Sequence, residues 1–334
     1  KMTMTEVNFD IPWLCLIKFA ETEETCGCNV DRKHETSSDS LFKTYQSGNL
    51  DQCSNHEEKN GEHFNEQMIL VPAGDYQLGT DDVAIESDME GPKRFVQLNS
   101  FYLDKYEVSN NDFLQFVEQT KYKTEAEVFG DSFVFELFLN NTIREQLKDY
   151  RVVQATWWYK VFGADWRHPF GPDSDITDVM DHPVIHVSWK DAKSFCKWRN
   201  ARLPSEAEWE AACRGGRQDT KYPWGDKLFP GRKHMANIWQ GTFPHHNSAK
   251  DGFIGTNAVH MFPQNEFRFH NLAGNVWEWT EDSWSKTKPN EKVKKGGSYL
   301  CHQSYCYRYR CSARSHNTED SSAGNLGFRC AKSK

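Results

Sequence analysis

Three places along the chain repeat one arrangement of polar and apolar positions. Ser109 with Asp112 precedes Phe113, Phe116 and Val117; Ser188 with Asp191 precedes Ala192, Phe195 and Cys196; Ser205 with Glu208 precedes Trp209 and Cys213. A serine hydroxyl that accepts from the amide three residues on, answered by a carboxylate there, opens a helix. Apolar residues returning every third or fourth place then give that helix a buried stripe. Pro204 before the third start and Gly215-Gly216 after it mark its two ends. Strand signals are shorter. Residues 68–71, a turn at Pro72-Ala73-Gly74-Asp75 and residues 76–79 read as strand, turn, strand, and residues 95–102 as a further strand. Between these elements run long stretches rich in Gly, Pro and Trp, with no period and no internal repeat. The expected class is α+β, one compact domain over residues 67–334 with little regular secondary structure.

Residues 1–66 read differently. An apolar patch at 11–19, IPWLCLIKF, follows Asp10 and is interrupted by Pro12 and Lys18, which makes it a poor secretory core. The chain opens at Lys1, so a true leader is expected to be missing or already removed. Residues 21–66 are polar with hardly any periodic apolar positions, and the expectation is a flexible extension.

Composition narrows the setting. With 12 Trp and 22 Phe in 334 residues, the chain has material for a sizeable core. A net charge of −8 argues against nucleic acid or an anionic membrane as partner. No run approaches the ~20 apolar residues of a membrane span. Ten cysteines and the sequon Asn140-Asn141-Thr142 fit an oxidising compartment, so a lumenal or secreted protein is expected.

Four of those cysteines crowd into GGSYLCHQSYCYRYRCSARSHNTEDSSAGNLGFRC at 296–330, three of them (Cys301, Cys306, Cys311) at steps of five. Five residues turn a helix by about 500° and so point successive thiols away from one another. In a strand the same step spans about 16 Å, whereas a disulfide needs Cα atoms about 4.4–6.8 Å apart. If Cys301 and Cys306 cooperate, the chain between them turns back on itself. His302, Arg308, Arg310 and Arg314 bring positive charge, which raises the thiolate fraction, and Tyr299, Tyr305, Tyr307 and Tyr309 bring large walls. Spacing alone leaves open a structural disulfide or a soft-metal site. Two thiolates with few other ligands suit Cu(I), while zinc usually takes paired C-x₂₋₄-C knuckles.

The run GGSYLCHQSYCYRYRC, with ARS and NLGFRC after it, resembles the signature of the formylglycine-generating enzymes, the sulfatase-modifying factors, in their eukaryotic form. Upstream blocks match as well: YEVSNNDF at 106–113, FGDSFVFE at 129–136, WRHPFGPDS at 166–174, HPVIHVSWKDA at 182–192, RLPSEAEWEAACRGG at 202–216 and GNVWEWT at 274–280. The resemblance covers residues 68–334. It implies a C-type-lectin-like fold and a copper-dependent oxidase that uses O2 to turn the cysteine of a sulfatase Cys-x-Pro-x-Arg segment into Cα-formylglycine. Cys301 and Cys306 match the redox pair that holds Cu(I), and Ser298 matches a hydroxyl beside it. The family pattern pairs Cys196 with Cys330 and Cys213 with Cys311, where sequence alone permits fifteen pairings.

Two oxygen-rich runs match structural calcium sites of the family. The first would use Asn237, the Ile238 carbonyl, Asp251 and the Phe253 carbonyl; the second Asn271, Gly274, Val276 and Glu278, with Glu107. Read without the family, both are ordinary turns, and neither has EF-hand spacing. Asp131 and Asn325 are candidates to meet the substrate arginine, with His302 and Trp277 beside the peptide and Trp157 and Trp158 as further groove walls. Cys26-Gly27-Cys28 corresponds to an extension that engages thiol oxidoreductases of the endoplasmic reticulum. Read from the residues alone, these thiols stay unpaired, pair with Cys15 or Cys53, or link two copies of the chain. The expected location is the endoplasmic-reticulum lumen, with part of the protein secreted.

Weaker signals are set aside. His182 and His186 have i, i+4 spacing, but Pro183 opposes a helix there. His245-His246 reads as a solvated turn, and Glu206, Glu208 and Glu210 as capping and surface charge on a helix. Two rival readings remain: a non-catalytic paralogue that binds sulfatases, and a metal-free thiol–disulfide oxidoreductase. The silent branch of the family lacks the redox pair, and the chain has no C-x-x-C at a helix start.

Overall fold

A computed structural model describes residues 67–334, so the extension with Cys15, Cys26, Cys28 and Cys53 lies outside the described residues. Strand β1 (Met68–Val71) and β2 (Gly74–Leu78) follow one another across the expected turn. The stretch expected as one strand at 95–102 divides into β3 (Arg94–Leu98) and β4 (Phe101–Asp104). The reason is tertiary: β3 pairs with β2, whereas β4 pairs with β1 and with β13 (Ala331–Ser333), so the chain changes sheet at Asn99-Ser100.

Helix α1 (Asn110–Thr120) begins at the Ser109–Asp112 capping box. A second box, Thr124 with Glu127, opens the short α2 (Glu125–Phe129) and was not anticipated, because no long apolar stripe follows it. Strands β5 (Asp131–Phe135) and β6 (Trp158–Phe162) pair antiparallel, with α3 (Asn141–Gln146) between them. Asn140, the sequon asparagine, is exposed and caps α3 through its side-chain oxygen. Helices α4 (Trp189–Trp198) and α5 (Glu206–Arg214) start at the other two capping boxes, and Gly215 ends α5. Gly241–Thr242 and His246–Asn247, β7 and β8, make a small hairpin with His245 and His246 exposed.

The sheet that carries the cysteine-rich stretch comes last. Strands β9 (Trp277–Ser285) and β10 (Lys288–Lys295) form a hairpin. Strand β11 (Arg314–Thr318) pairs with β10, and the short β12 (Leu326–Gly327) runs parallel to β9. Residues 296–313 are therefore one excursion between two adjacent strands. Aromatic rings dominate the core: Phe113 stacks on Phe195 with centroids 5.7 Å apart, and Trp209, Trp277 and Trp279 are fully buried. The described residues form one compact α+β domain in which regular elements are short.

Glu208 completes the expected capping box of α5, but the other two α5 glutamates depart from expectation. Glu210 is buried and receives Arg214 and Lys295, while Glu206 pairs with Arg314. They neutralise the buried Lys295 of β10 and the half-buried Arg314 of β11, a role that depends on elements distant in sequence.

Candidate active site

Two disulfides pin the stretch 296–330, one near the end of the excursion and one at the stretch's last residue. Cys196 is bonded to Cys330 and Cys213 to Cys311, the pairs the resemblance implies, so α4 and α5 are each tied to the C-terminal stretch. Both loops are long, and in the chain-entropy view each bond contributes up to about 4.7 kcal/mol. Cys301 and Cys306 remain outside the disulfides and are buried. The chain between them makes a single turn, in which the His302 carbonyl accepts from the amides of Tyr305 (3.0 Å) and Cys306 (2.7 Å). Gly297 allows the two arms of the excursion to close: a Cβ there would meet the Tyr309 amide nitrogen at 3.0 Å, and its φ is +70°.

The expected positive charge around the thiols is largely spent elsewhere. Arg308 is held by Asp88 at 2.5 Å and Arg310 by Glu90 at 2.6 Å, both buried pairs. Arg314 goes to Glu206 at 2.8 Å. Arg308 and Arg310 clamp the excursion to the loop before β3, and Arg314, where β11 begins, ties that strand to α5; each carries its own carboxylate partner and so adds little net field at sulfur. His302 is half-buried at the rim, with Nδ1 2.7 Å from the Ser304 hydroxyl.

Ser298 lies against the pair. Its amide donates to Cys301 Sγ at 3.4 Å, and its hydroxyl oxygen accepts from Leu300 N–H and from Asn325 Nδ2. The Tyr299 hydroxyl donates to the Gly324 carbonyl at 3.0 Å and so fixes the residue before Asn325. Residues 322–325 are held from the far side too. Ser322 Oγ is 2.8 Å from Ser132 Oγ, which is 2.8 Å from His186 Nδ1, and His186 Nε2 lies 2.8 Å from the Pro169 carbonyl oxygen. Burial pushes the His186 imidazole down to about 4, although the Pro169 carbonyl acts the other way.

Several expected contacts of substrate fall inside the protein. Asp131 is buried with Lys160 3.6 Å away, and Asn325 is buried with its amide turned to Ser298. Trp158 and Trp277 are 0% exposed, and the Lys294 ammonium lies over the Trp277 ring, so these rings are core walls and not groove surface. Trp157 is half-buried, edge-on to Tyr305 and Phe243, and belongs to an aromatic rim beside His302.

Both oxygen-rich runs keep polar groups inside. Asp251 accepts from the amides of Ile238 (3.0 Å) and Phe253 (3.2 Å), and burial raises its carboxyl. Asn237 lies alongside, fully buried, with Nδ2 donating to the Gly255 carbonyl. In the second run, Glu107 is buried and pushed up to about 7, mainly by desolvation and partly by Glu278. Its oxygens accept from Asn271 and Asn275, while Asn271 Oδ1 has no hydrogen-bond partner among the described residues. A buried carboxylate next to an orphaned amide oxygen suits a hard cation. Glu278 is otherwise employed, since both its oxygens receive Arg329 and one also receives Trp209 Nε1. Gly274 joins the two runs, because a Cβ there would lie 2.2 Å from the Asn237 carbonyl oxygen, and Val276 is buried beyond it. Asn275 was not singled out in the sequence; its φ of 57° and its position inside GNVWEW were the available signals. Among the described residues no three His, Cys, Asp or Glu side chains converge, so neither place resembles a transition-metal triad.

Residues 54–334 match the family described as the sulfatase-modifying factor enzyme 1-like domain. The formylglycine-generating enzyme of Mus musculus is 54% identical over 278 residues, 79% of this chain and 74% of that one. A Bos taurus protein named inactive C-alpha-formylglycine-generating enzyme 2 is 44% identical over 275 residues, 81% of this chain and 89% of its own. The solved structure of PvdO from Pseudomonas aeruginosa has a TM-score of 0.58 at 21% identity, covering 80% of this chain and 94% of that one, a likeness of fold alone.

Proposed function

The chain belongs to the sulfatase-modifying factor enzyme 1-like family, and from that premise we propose that it oxidises the cysteine of a Cys-x-Pro-x-Arg segment in an unfolded sulfatase to Cα-formylglycine. One observation carries this reading over that of a silent relative: Cys301 and Cys306, left out of the disulfides, are buried together on a turn that two disulfides and two arginine clamps hold in place.

Cys301 and Cys306 would hold Cu(I). The fit rests on two soft sulfur donors in a buried, aromatic-walled place. When bound, copper supplies the one-electron chemistry that reaction of a thiol with triplet O2 requires. The chain's own residues do the rest. The Ser298 amide donates toward Cys301 and favours the charged sulfur, while its hydroxyl, kept in place by Asn325, meets an incoming substrate thiol. Tyr299 and Tyr309 exclude water, and His302, Tyr305 and Trp157 form the rim across which an extended peptide would lie.

Asn237, Asp251 and the carbonyls of Ile238 and Phe253 would hold one calcium ion, and Glu107, Asn271 and carbonyls of the 274–276 turn another, both as structural ions. A protein with two long-range disulfides and a substrate that must be met unfolded belongs in the endoplasmic-reticulum lumen, and Cys26 and Cys28 would tie it to thiol oxidoreductases there.

Mass spectrometry of a Cys-x-Pro-x-Arg peptide incubated with the protein, O2 and a thiol reductant, with and without Cu(I), tests the reading. Copper-dependent conversion of thiol to aldehyde, trapped by a hydrazine, is the expected result. Tight peptide binding with no conversion would instead make the chain a silent paralogue, and conversion without copper would remove the metal from the scheme.

A further inference from the structure

The oxidase reading leaves an electron deficit. Taking O2 to two waters uses four electrons, and oxidising a cysteine to its thioaldehyde, which water then hydrolyses, releases two. Two more must reach buried thiols. With the rim of His302, Tyr305 and Trp157 given to the peptide in the oxidase reading, a separate route for the donor would let both act in one turnover.

A connected set of oxidisable rings leads away from the thiols on another side. Tyr309 is 1% exposed and lies in the same buried cluster as Cys301 and Cys306; burial pushes its phenol up, and the neighbouring Tyr222 and Tyr307 add to that ahead of the two thiols. It meets Tyr307 edge-on at 5.5 Å and lies nearly parallel to Tyr222 at 6.1 Å. Tyr222 stacks on Trp224 at 5.3 Å, and its hydroxyl is 2.8 Å from that of Tyr307. Tyr307 reaches the outside: with Thr80, Lys93, Lys221, Asp226 and Arg310 it lines a cavity of about 440 Å³. The Arg310 guanidinium lies 4.7 Å over its ring. The Tyr222–Tyr307 hydroxyl bond and the Trp224 Nε1–Lys227 carbonyl bond fix these rings in place, and phenols and an indole are also the readily oxidised aromatics. The cavity wall carries both signs of charge, which suits a small zwitterionic thiol.

We infer that Tyr309, Tyr222 and Tyr307 relay electrons to the Cys301–Cys306 site from a small thiol donor docked in this cavity. The inference rests on the oxidase reading. Two donor thiols become one disulfide and release two protons and two electrons. Each electron moves singly, the inner ring being re-reduced by the outer one and the outer one by the donor. The proton of Tyr307 leaves to cavity water on oxidation and returns on reduction. At the inner end these two electrons join the two from the substrate cysteine, and four protons complete two waters.

The test uses Tyr309→Phe, Tyr307→Phe and Tyr309→Trp. At saturating peptide, both Phe variants are expected to show at least about tenfold lower dependence of rate on glutathione, with peptide KM unchanged, and Tyr309→Trp to recover it. A second readout avoids catalysis. In copper-free protein, flash-quench oxidation by a soluble ruthenium photo-oxidant should give a tyrosyl radical and then loss of the Cys301 and Cys306 thiols by mass spectrometry; Tyr309→Phe should keep the outer radical and lose the thiol oxidation. Half-buried Tyr307 carries the test if Tyr309→Phe misfolds. Phe variants with wild-type glutathione dependence and wild-type thiol loss would overturn the relay. Failure of the wild-type protein to convert any peptide would instead overturn the oxidase reading, and the flash experiment would still decide the relay.

Discussion

Asn325 Nδ2 donates to Ser298 Oγ across 3.2 Å, and this bond joins the loop that follows β11 to the turn that carries Cys301. The contact is buried at both ends, so it orients the serine hydroxyl and not merely the surface of the site. A neutral hydrogen bond of this kind contributes about 1 kcal/mol. Ser298→Ala and Asn325→Ala are each expected to lower kcat/KM for the peptide by roughly fivefold or more. A double-mutant cycle should return a coupling of about 0.5–3 kcal/mol; strictly additive effects would separate Asn325 from the chemistry.

Cys301→Ser and Cys306→Ser should each abolish peptide conversion and leave a folded protein. A buried hydroxyl in place of a thiol costs about 1–3 kcal/mol, a modest drop in melting temperature. Cys213→Ser is the contrast: it opens the bond to Cys311 and should cost about 2–5 kcal/mol. Full activity in either of the first two variants would remove the thiol pair from the mechanism.

The clasp behind Asn325 has a pH signature. His186 is neutral and fully buried, with its imidazole pushed down to about 4, below the ordinary value of 6.5. Between those values the unfolded chain binds a proton that the folded one does not, so stability rises with pH across the window and is lost as pH falls toward 4. One such proton contributes a slope of up to about 1.4 kcal/mol per pH unit. His186 sits at φ 59°, which asparagine tolerates, so His186→Asn should flatten the dependence of melting temperature on pH between 6.5 and 4. An unchanged slope would assign the acid sensitivity to other groups.

The helix starts were legible because a capping box is local: Ser109 with Asp112, Ser188 with Asp191 and Ser205 with Glu208 lie three residues apart and all form as read. The break at Asn99-Ser100 was not, because only the sheet partners of β3 and β4 define it. At the site, the thiol pair stood out by composition and spacing. What the arginines do there was hidden, since Arg308 and Arg310 find Asp88 and Glu90 at separations of 220 residues. Burial was hidden too: Trp277 and Asp131 have the chemistry of peptide binding, yet the fold turns both inward.

The two oxygen-rich runs make the last prediction. Asn271 Oδ1 and the Glu107 carboxylate are buried beside one another, and an orphaned acceptor next to a carboxylate that burial disfavours costs stability unless a cation joins them. Asp251 pays a similar desolvation cost with two amides as compensation. Calcium bound only to the folded chain, at a hundred times its dissociation constant, stabilises by about 2.7 kcal/mol per site. Melting temperature should therefore fall when calcium is chelated and return when it is restored. Asn271→Ala and Asp251→Ala should each remove part of that response, and the double variant nearly all of it. Because Gly274 holds the two runs together within 2.2 Å of where its Cβ would be, loss of either ion should also loosen the turn that presents Asn275 to the amide of Tyr299. Amide exchange at Tyr299, which donates to the Asn275 carbonyl at 2.9 Å, reads this directly. Melting and exchange both indifferent to a strong chelator would leave these runs as ordinary turns.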